Sequence, residues 1–223
     1  MSTNYPDLPE GITSFGAALT GGAVYVYGGH CGAAHDYYTK GQSNRLWRLN
    51  LSEPAAWEEL PTGPRLQGLA LVAHGGMLYR VGGFSARNEK GDDQDLWSVA
   101  DVARFDPAAA EWEKLTPLPT PRSSHDATVI GDELYVVGGW TLSGKKESRW
   151  HATAWVADLS QSPLQWRELP PPPFRRRALA VAALDGKLYV VGGMQEQGGP
   201  TDAVTLFDPK TQKWSPAPDL QGP

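Results

Sequence analysis

The sequence is poor in cysteine, in positive charge and in long apolar runs, and each shortage excludes a class of protein. A single cysteine, Cys31, among 223 residues excludes an internal disulfide framework and a zinc site built from several thiolates. The 20 Lys and Arg residues are outnumbered by 25 Asp and Glu, which gives a formal net charge of −5. Because nucleic-acid phosphates are bound by a positive field, we expect no nucleic-acid partner.

Membrane and helical signals are also missing. No stretch approaches the roughly 18 consecutive apolar residues of a membrane-spanning helix. Residues 1–11 carry neither the basic cluster nor the apolar stretch of a secretory signal, so we expect a cytoplasmic protein with no membrane partner. Apolar residues do not recur at helical spacing over the length of a helix. The 25 glycines and 19 prolines instead favour short strands joined by turns.

A repeated pattern dominates the chain: a tyrosine stands three positions before a Gly-Gly pair. The four copies are Ala23–Gly29, Met77–Gly83, Glu133–Gly139 and Lys187–Gly193, and they recur at a nearly constant interval. Turn pairs such as Gly21-Gly22 and Asp185-Gly186 precede them. Because glycine tolerates positive φ, these pairs predict a two-residue hairpin that joins a first strand, a, to a second strand, b.

Two further strands complete each repeat. After the Gly-Gly pair a polar segment of variable length leads to an apolar strand, c, and a turn then leads to a strand, d, that carries a tryptophan. These tryptophans are Trp57, Trp112, Trp166 and Trp214. Pro-rich links connect strand d to the next repeat. Four short strands per repeat, with turn signals between them, predict an all-β protein.

A period of roughly 50 residues, the Gly-Gly pair after strand b and the tryptophan in strand d resemble the Kelch β-propeller family. The resemblance implies one propeller region, 1–223, of four four-stranded antiparallel blades, at about 11–61, 65–117, 122–170 and 175–218. Each blade buries its faces against its neighbours, and we assign a structural role to the tryptophans between blades and to the glycines that allow close backbone approach. These glycines are Gly28, Gly29, Gly82, Gly83, Gly138, Gly139, Gly192 and Gly193.

Kelch rings usually have six or seven blades, whereas this sequence has four repeats. Three interpretations remain open: a longer propeller with further blades, a homo-oligomer in which two chains close an eight-blade ring, or four blades that close alone. An open arc would expose an apolar flank at each end, which drives association. We therefore expect an incomplete ring to self-associate.

Function in repeat proteins resides in the loops that differ between copies, here the b–c loops at 30–44, 84–95, 140–150 and 194–201. The d–a links share their face in this family, and three carry an arginine. In Kelch propellers that bind acidic peptides, arginines there pair with carboxylates. The predicted ligand-binding residues are Arg65, Arg122, Arg176, His30, Phe84 and Trp140. The alternative is that the arginines bind carbonyl groups and hold the blades together.

The loop from His30 to Tyr38 combines histidines with Cys31 and Asp36. Its spacing matches no standard ligand set, so we expect no metal and no cofactor. The leading functional hypothesis is a non-catalytic module that binds a protein or an acidic peptide. One alternative is a small-molecule enzyme of the Kelch group, similar to sialic acid mutarotase. Another is a structural propeller fragment that assembles into a complete ring.

Overall fold

The computed structural model describes residues 5–221, so part of the segment used for the cytoplasmic prediction, residues 1–4, lies outside it. Short strands joined by turns form nearly all of its regular structure. The strands are β1 (Gly16–Thr20), β2 (Ala23–Tyr27), β3 (Leu46–Asn50), β4 (Glu58–Leu60), β5 (Ala70–His74), β6 (Met77–Val81), β7 (Phe84–Ala86), β8 (Leu96–Ser98), β9 (Val102–Asp106), β10 (Glu111–Lys114), β11 (Asp126–Ile130), β12 (Glu133–Val137), β13 (Trp140–Thr141), β14 (Arg149–Trp150), β15 (Ala154–Asp158), β16 (Trp166–Glu168), β17 (Arg176–Arg177), β18 (Ala180–Leu184), β19 (Lys187–Val191), β20 (Met194–Gln195), β21 (Val204–Asp208) and β22 (Lys213–Ala217). One 3-10 turn covers Thr39–Gly41.

These strands form four antiparallel four-stranded blades. Their orders are β1-β2-β3-β4, β5-β6-β9-β10, β11-β12-β15-β16 and β18-β19-β21-β22, which confirms the predicted a-to-d arrangement. The a–b hairpins close through two-residue turns, as in Thr20 opposite Ala23. Gly21 and Gly22 have φ of 57° and 73°, a conformation that glycine adopts without steric cost. The remaining strands form short pairs above the blades: β7 with β8, β13 with β14 and β17 with β20.

The blades lie side by side around a common axis, with the a strands innermost. β1 contacts β5, β5 contacts β11, and β11 contacts β18. Within residues 5–221 no comparable contact joins β18 back to β1. The four blades therefore form an arc, and each end blade has one flank that no other blade of the described residues covers.

Each junction between blades is an apolar core. Because side chains alternate across a strand, the tyrosine of each b strand lies on the side of the following blade, and the valine or leucine directly before it lies on the side of the preceding blade. Tyr79 of the second blade packs with Leu134 of the third, and Tyr135 of the third packs with Leu188 of the fourth. Burial between blades, rather than within a blade, thus supplies the hydrophobic stabilisation.

The d-strand tryptophans bind the links that precede their blades. Trp112, Trp166 and Trp214 lie in β10, β16 and β22, whereas Trp57 lies one residue before β4. The four indole Nε1 groups donate to the carbonyl oxygens of Pro6, Pro61, Thr116 and Pro170 at 3.0, 3.0, 3.2 and 2.8 Å. Trp112 also packs against Tyr27 of the first blade, with ring centroids 5.4 Å apart. The indole N–H groups of these four tryptophans are therefore satisfied by hydrogen bonds within the fold.

The Gly-Gly pairs permit close approach between blades. Gly82 has φ of 57°, and a Cβ atom there would lie 2.5 Å from the carbonyl oxygen of Arg122. Gly138 has φ of 73°, and its Cβ would lie 2.8 Å from the carbonyl oxygen of Arg176. A side chain at either position would force neighbouring backbone apart. The blade boundaries drawn from the sequence stay a prediction, and no helix in residues 5–221 is long and apolar enough to span a bilayer.

Candidate functional site

The b–c loops of the first three blades join into one continuous layer on a single face of the arc. The buried side chain of Gln42 connects the first loop to the second: its Nε2 donates to the Phe84 carbonyl at 3.1 Å, and its Oε1 accepts from the Ala86 N–H at 2.7 Å. The second loop meets the third through Ser98 N–H, which donates to the Leu142 carbonyl at 3.0 Å. The face is therefore held rigidly by hydrogen bonds between loops.

The first two b–c loops bring aromatic side chains into contact with one another. The Tyr37 ring lies edge-on to His30 and to Phe84, with centroid distances of 5.0 and 5.8 Å. His30 and Phe84 are both buried, so they support Tyr37, which remains half-buried. His30 Nε2 lies 2.8 Å from the Ala33 carbonyl oxygen and helps to shape its own loop.

At the third b–c loop, an arginine packs against two tryptophans. Trp140 and Trp150 pair across the β13–β14 hairpin with centroids 5.6 Å apart. The Arg177 guanidinium carbon lies 4.1 Å from the Trp140 ring centroid and 5.3 Å from that of Trp150. A guanidinium stacks well on indole, both as a cation on a π face and as a flat group. We call Tyr37, Trp140, Trp150 and Arg177 the stacking site.

Arg177 is fixed in place while its hydrogen-bond donors remain free. Within residues 5–221 its guanidinium makes no hydrogen bond or ion pair, and its Nε and the Trp140 Nε1 are buried without partners. Burial lowers the pKa of Arg177, and the nearby Tyr37 partly opposes that shift. Because the Nη groups of Arg177 are neither fully buried nor bonded within residues 5–221, they are the donors that an acceptor from outside the chain can reach.

Arg122 and Arg176 behave differently, since both donate into their own blades. The fully buried Arg122 donates through Nη1 to the carbonyls of Gly138 and Thr153 at 2.8 and 2.9 Å. Burial lowers its pKa to about 9. Arg176 makes the matching bonds to the carbonyls of Gly192 and Ala203, at 3.2 and 2.7 Å. Both guanidinium groups lie beneath the face and fasten strands b and c together.

Arg65 is not in register with these two arginines. The carbonyls of Arg122 and Arg176 accept from Gly83 and Gly139, and the corresponding acceptor in the preceding link is Leu66, bound by Gly29. Arg65 is therefore one residue too early, exposed, with its Nη1 donating to the Gln42 carbonyl. The three arginines do not form a ring.

The fourth b–c loop is shorter than the others and leaves an open cleft beside it. The cleft has a volume of about 470 Å³ and is lined by Phe174, Arg175 and Glu196 among others. Arg175 and Glu196 form an ion pair at 2.9 Å across its mouth. Arg176 stacks on Phe174 at 4.0 Å. This cleft lies on the opposite side of the short strand β17 from Arg177.

The histidine-rich loop does not gather metal ligands. In the part of the chain that the structure describes, no group of three or more His, Cys, Asp or Glu side chains is arranged to hold a metal ion. Cys31 instead approaches Glu10, with Sγ 3.9 Å from the carboxylate oxygen. Burial and the neighbouring Glu10 carboxylate raise the pKa of the Cys31 thiol.

The structure places Phe84, His30 and Trp140 on one face, where their role as ligand-binding residues stays a prediction, and it adds three residues that the sequence did not single out. Arg177 stands beside Arg176, and alternation along a strand sends neighbouring side chains in opposite directions. Trp150 stands at the opposite end of the third b–c loop from Trp140. Those two signals were available in the sequence; the position of Tyr37 was not, because it depends on how the first loop folds.

Comparisons with known proteins agree on the architecture. A family model described as the KLHDC2/KLHL20/DRC7 Kelch-repeats domain matches residues 3–139 and 91–222. The chain is 31% identical over 255 residues to an N-acetylneuraminate epimerase of Haemophilus influenzae (strain 86-028NP), covering 98% of the chain and 64% of that protein. It is 27% identical over 222 residues to Kelch-like protein 35 of Mus musculus, covering 99% of the chain and 33% of that protein.

One solved structure, "Structure of YjhT", superposes with a TM-score of 0.76 at 20% sequence identity, covering 98% of the chain and 69% of that structure. At this identity the likeness shows the fold alone. The chain spans about a third of the mouse relative's length and just under two thirds of the Haemophilus relative's length.

Proposed function

The chain belongs to the Kelch-repeat propeller family, and from that premise we propose that it is a non-catalytic binding module that holds an acidic peptide segment of a partner protein at the stacking site. The observation that carries this proposal is Arg177, whose guanidinium packs against two indoles and has no hydrogen-bond acceptor within residues 5–221. A guanidinium held in this way offers bidentate, charge-assisted hydrogen bonds to a carboxylate.

The surroundings of Arg177 suit a peptide. Trp140, Trp150 and Tyr37 are half-buried aromatic side chains, which supply contact area at a low cost in conformational entropy. The hydrogen bonds between b–c loops keep these residues in position before binding, so less ordering is required when the ligand arrives. The predicted ligand-binding residues Arg122 and Arg176 contribute from below by holding the strands that carry the site.

A labelled peptide of alternating glutamate and glycine tests this proposal by fluorescence anisotropy. We expect Arg177→Gln to weaken binding at least about tenfold, since a charged acceptor loses its partner. Trp140→Leu is expected to weaken it as well, because the arginine loses its stacking surface. Arg167→Gln is the matched control, since Arg167 lies on the outer strand β16 and pairs with Glu133 away from this face.

The same series separates binding from stability. An unchanged melting temperature together with lost affinity for Arg177→Gln supports the site. Equal affinity of the wild-type protein for a peptide of alternating glutamine and glycine would contradict recognition of carboxylates. A wild-type affinity that does not fall with added salt would contradict it too, because exposed charge pairs are screened.

A second candidate function follows from the relatives that are N-acetylneuraminate epimerases, at 31% and 30% identity. In that case Arg177 would bind the carboxylate of the sugar acid, and the Tyr37 hydroxyl would be the proton donor facing it. Nuclear magnetic resonance of freshly dissolved N-acetylneuraminate distinguishes the two functions. Faster interconversion of its anomers with wild-type protein, lost in Tyr37→Phe, would favour the enzyme over the peptide-binding module.

A further inference from the structure

A ladder of backbone hydrogen bonds links the blades around the axis and is unfinished at both ends. The N–H groups of Gly68, Ser124 and Ala178 donate to the carbonyls of Ser14, Gly68 and Ser124, each at 2.7 Å. All four residues have positive φ, from 50° to 58°. Within residues 5–221, the Ser14 N–H and the Ala178 carbonyl have no hydrogen-bond partner. One end of the arc therefore offers a donor and the other end offers the matching acceptor.

A second ladder runs in the opposite direction. The N–H groups of Gly29, Gly83 and Gly139 donate to the carbonyls of Leu66, Arg122 and Arg176 in the following links, each at 2.8 Å. The next donor in this series is Gly193 N–H, and the preceding acceptor is the Ile12 carbonyl. Neither has a partner in the described part of the chain. Every internal junction thus uses two antiparallel hydrogen bonds, and the ends of the arc hold the two halves of a fourth junction.

The side chains at the fourth blade repeat this pattern. Its outward flank carries Ala182 and Leu184 on β18 and Tyr189 and Val191 on β19. The corresponding flank of the third blade, with Tyr135 and Val137, is covered by the fourth blade. Leu184 is 60% exposed. This flank is an apolar surface of the kind that the molecule buries at each internal junction.

The first blade carries the complementary flank. Phe15 and Leu19 are 41% and 63% exposed. Phe15 occupies the position of Leu69 and Leu179, which are buried in the junctions ahead of the second and fourth blades. Each internal junction pairs one flank of each kind. The first-blade flank is therefore of the kind that covers the fourth-blade flank.

We propose that the outward flank of the fourth blade binds the first-blade flank of a second copy of this chain, head to tail. Leu184 and Tyr189 of one copy pack against Leu19 and Phe15 of the other. Ser14 N–H of the first copy then donates to the partner copy's Ala178 carbonyl. The partner copy's Gly193 N–H donates to the Ile12 carbonyl of the first copy. The contact is heterologous, so two copies close on each other through two such junctions, or more copies extend the assembly. This inference is independent of the peptide-binding proposal.

Two single substitutions and their mixture test the contact. Leu184→Glu disables only the fourth-blade flank, and Leu19→Glu disables only the first-blade flank; both side chains are exposed, so both variants fold. Light scattering on a gel-filtration column is expected to show wild-type species of at least twice the 24.2 kDa of one chain. Each variant alone is expected to be monomeric, because its one intact flank has no partner.

Mixing the two variants is the decisive step. Leu184→Glu keeps an intact first-blade flank, and Leu19→Glu keeps an intact fourth-blade flank. A head-to-tail contact between the two variants is therefore expected to give a one-to-one species with twice the mass of the 24.2 kDa chain. The control Ala56→Glu adds the same charge at an exposed position between β3 and β4 and is expected to leave association unchanged. A wild-type chain that stays monomeric at every concentration overturns the proposal. A variant that associates by itself, or a mixture that stays monomeric, also overturns it.

Discussion

The third and fourth blades carry the same six residues, Leu-Tyr-Val-Val-Gly-Gly, at 134–139 and 188–193, yet the two copies have different surroundings. Leu134 and Leu188 are both fully buried, because each faces a preceding blade. Tyr135 is 1% exposed, whereas Tyr189 is only half-buried, since no other part of residues 5–221 covers its side of the fourth blade. Identical local sequence therefore produces identical strands, and the neighbouring blade decides what they bury.

The largest expected difference between these copies is in their tyrosines. Tyr135→Ala removes a ring from the core between two blades and is expected to lower the free energy of unfolding by about 3–5 kcal/mol. Tyr189→Ala removes a ring with one face open to water and is expected to cost about 1 kcal/mol or less. Urea denaturation measures both values in chains that also carry Leu19→Glu, which keeps them monomeric and leaves the fourth-blade flank uncovered. Equal losses would contradict the assignment of Tyr189 to an uncovered flank.

The arginines below the face provide a second contrast. Arg122→Met leaves the carbonyls of Gly138 and Thr153 without their donor in a closed junction, and we expect a loss of about 2–3 kcal/mol. Arg176→Met breaks the matching bonds in the end blade, where Arg176 lines the open cleft. Because water in the cleft can replace the lost donor, we expect a cost of about 1 kcal/mol.

The exposed Arg65 is the control for this pair. Arg65→Met is expected to change the free energy of unfolding by less than about 0.5 kcal/mol, as surface substitutions usually do. Urea midpoints rank the three variants. Lost peptide binding by Arg122→Met with unchanged stability would instead make Arg122 a ligand-binding residue, as the sequence first suggested.

The smallest effect concerns pH and a carboxyl that only the third blade carries. Asp126 accepts from the Val181 N–H of the fourth blade at 2.7 Å, and the fourth blade has Ala180 at the same position. Burial raises the pKa of Asp126 from 3.8 to about 6. A raised carboxyl pKa favours the folded state at low pH, and that stability is lost as pH rises from about 4 through 6.

Asp126→Asn keeps an acceptor for Val181 and removes the titration. We expect its melting temperature, relative to wild type, to be higher at pH 7.5 than at pH 4. The pKa values of His125 and His151 are lowered to about 3 and 4 by burial, which weakens the fold as pH falls below 6.5. Both histidines are present in both proteins, so their effect cancels. An offset that is equal at both pH values would contradict a titrating Asp126.

Much of the candidate site depended on register that the sequence alone left open. The sequence predicted one shared role for the arginines of the d–a links. In the structure the exposed Arg65 lies one residue before the link position that Arg122 and Arg176 occupy. Strand β17 is only two residues long, so its alternation assigns Arg176 to the blade and Arg177 to the tryptophans. The ligand-binding roles predicted for Arg65, Arg122 and Arg176 stay a prediction, and their own hydrogen bonds favour a supporting one.

The amino-acid sequence by itself determined the family and the four blades, because glycine turns, alternating apolar residues and a recurring period are local properties that need no partner to be recognised. The three-dimensional structure decided which flank of each blade is covered, where the b–c loops meet, and that Arg177 packs against Trp140 and Trp150. Those outcomes depend on contacts between residues that are far apart in the chain, and packing and desolvation act only once the blades have come together.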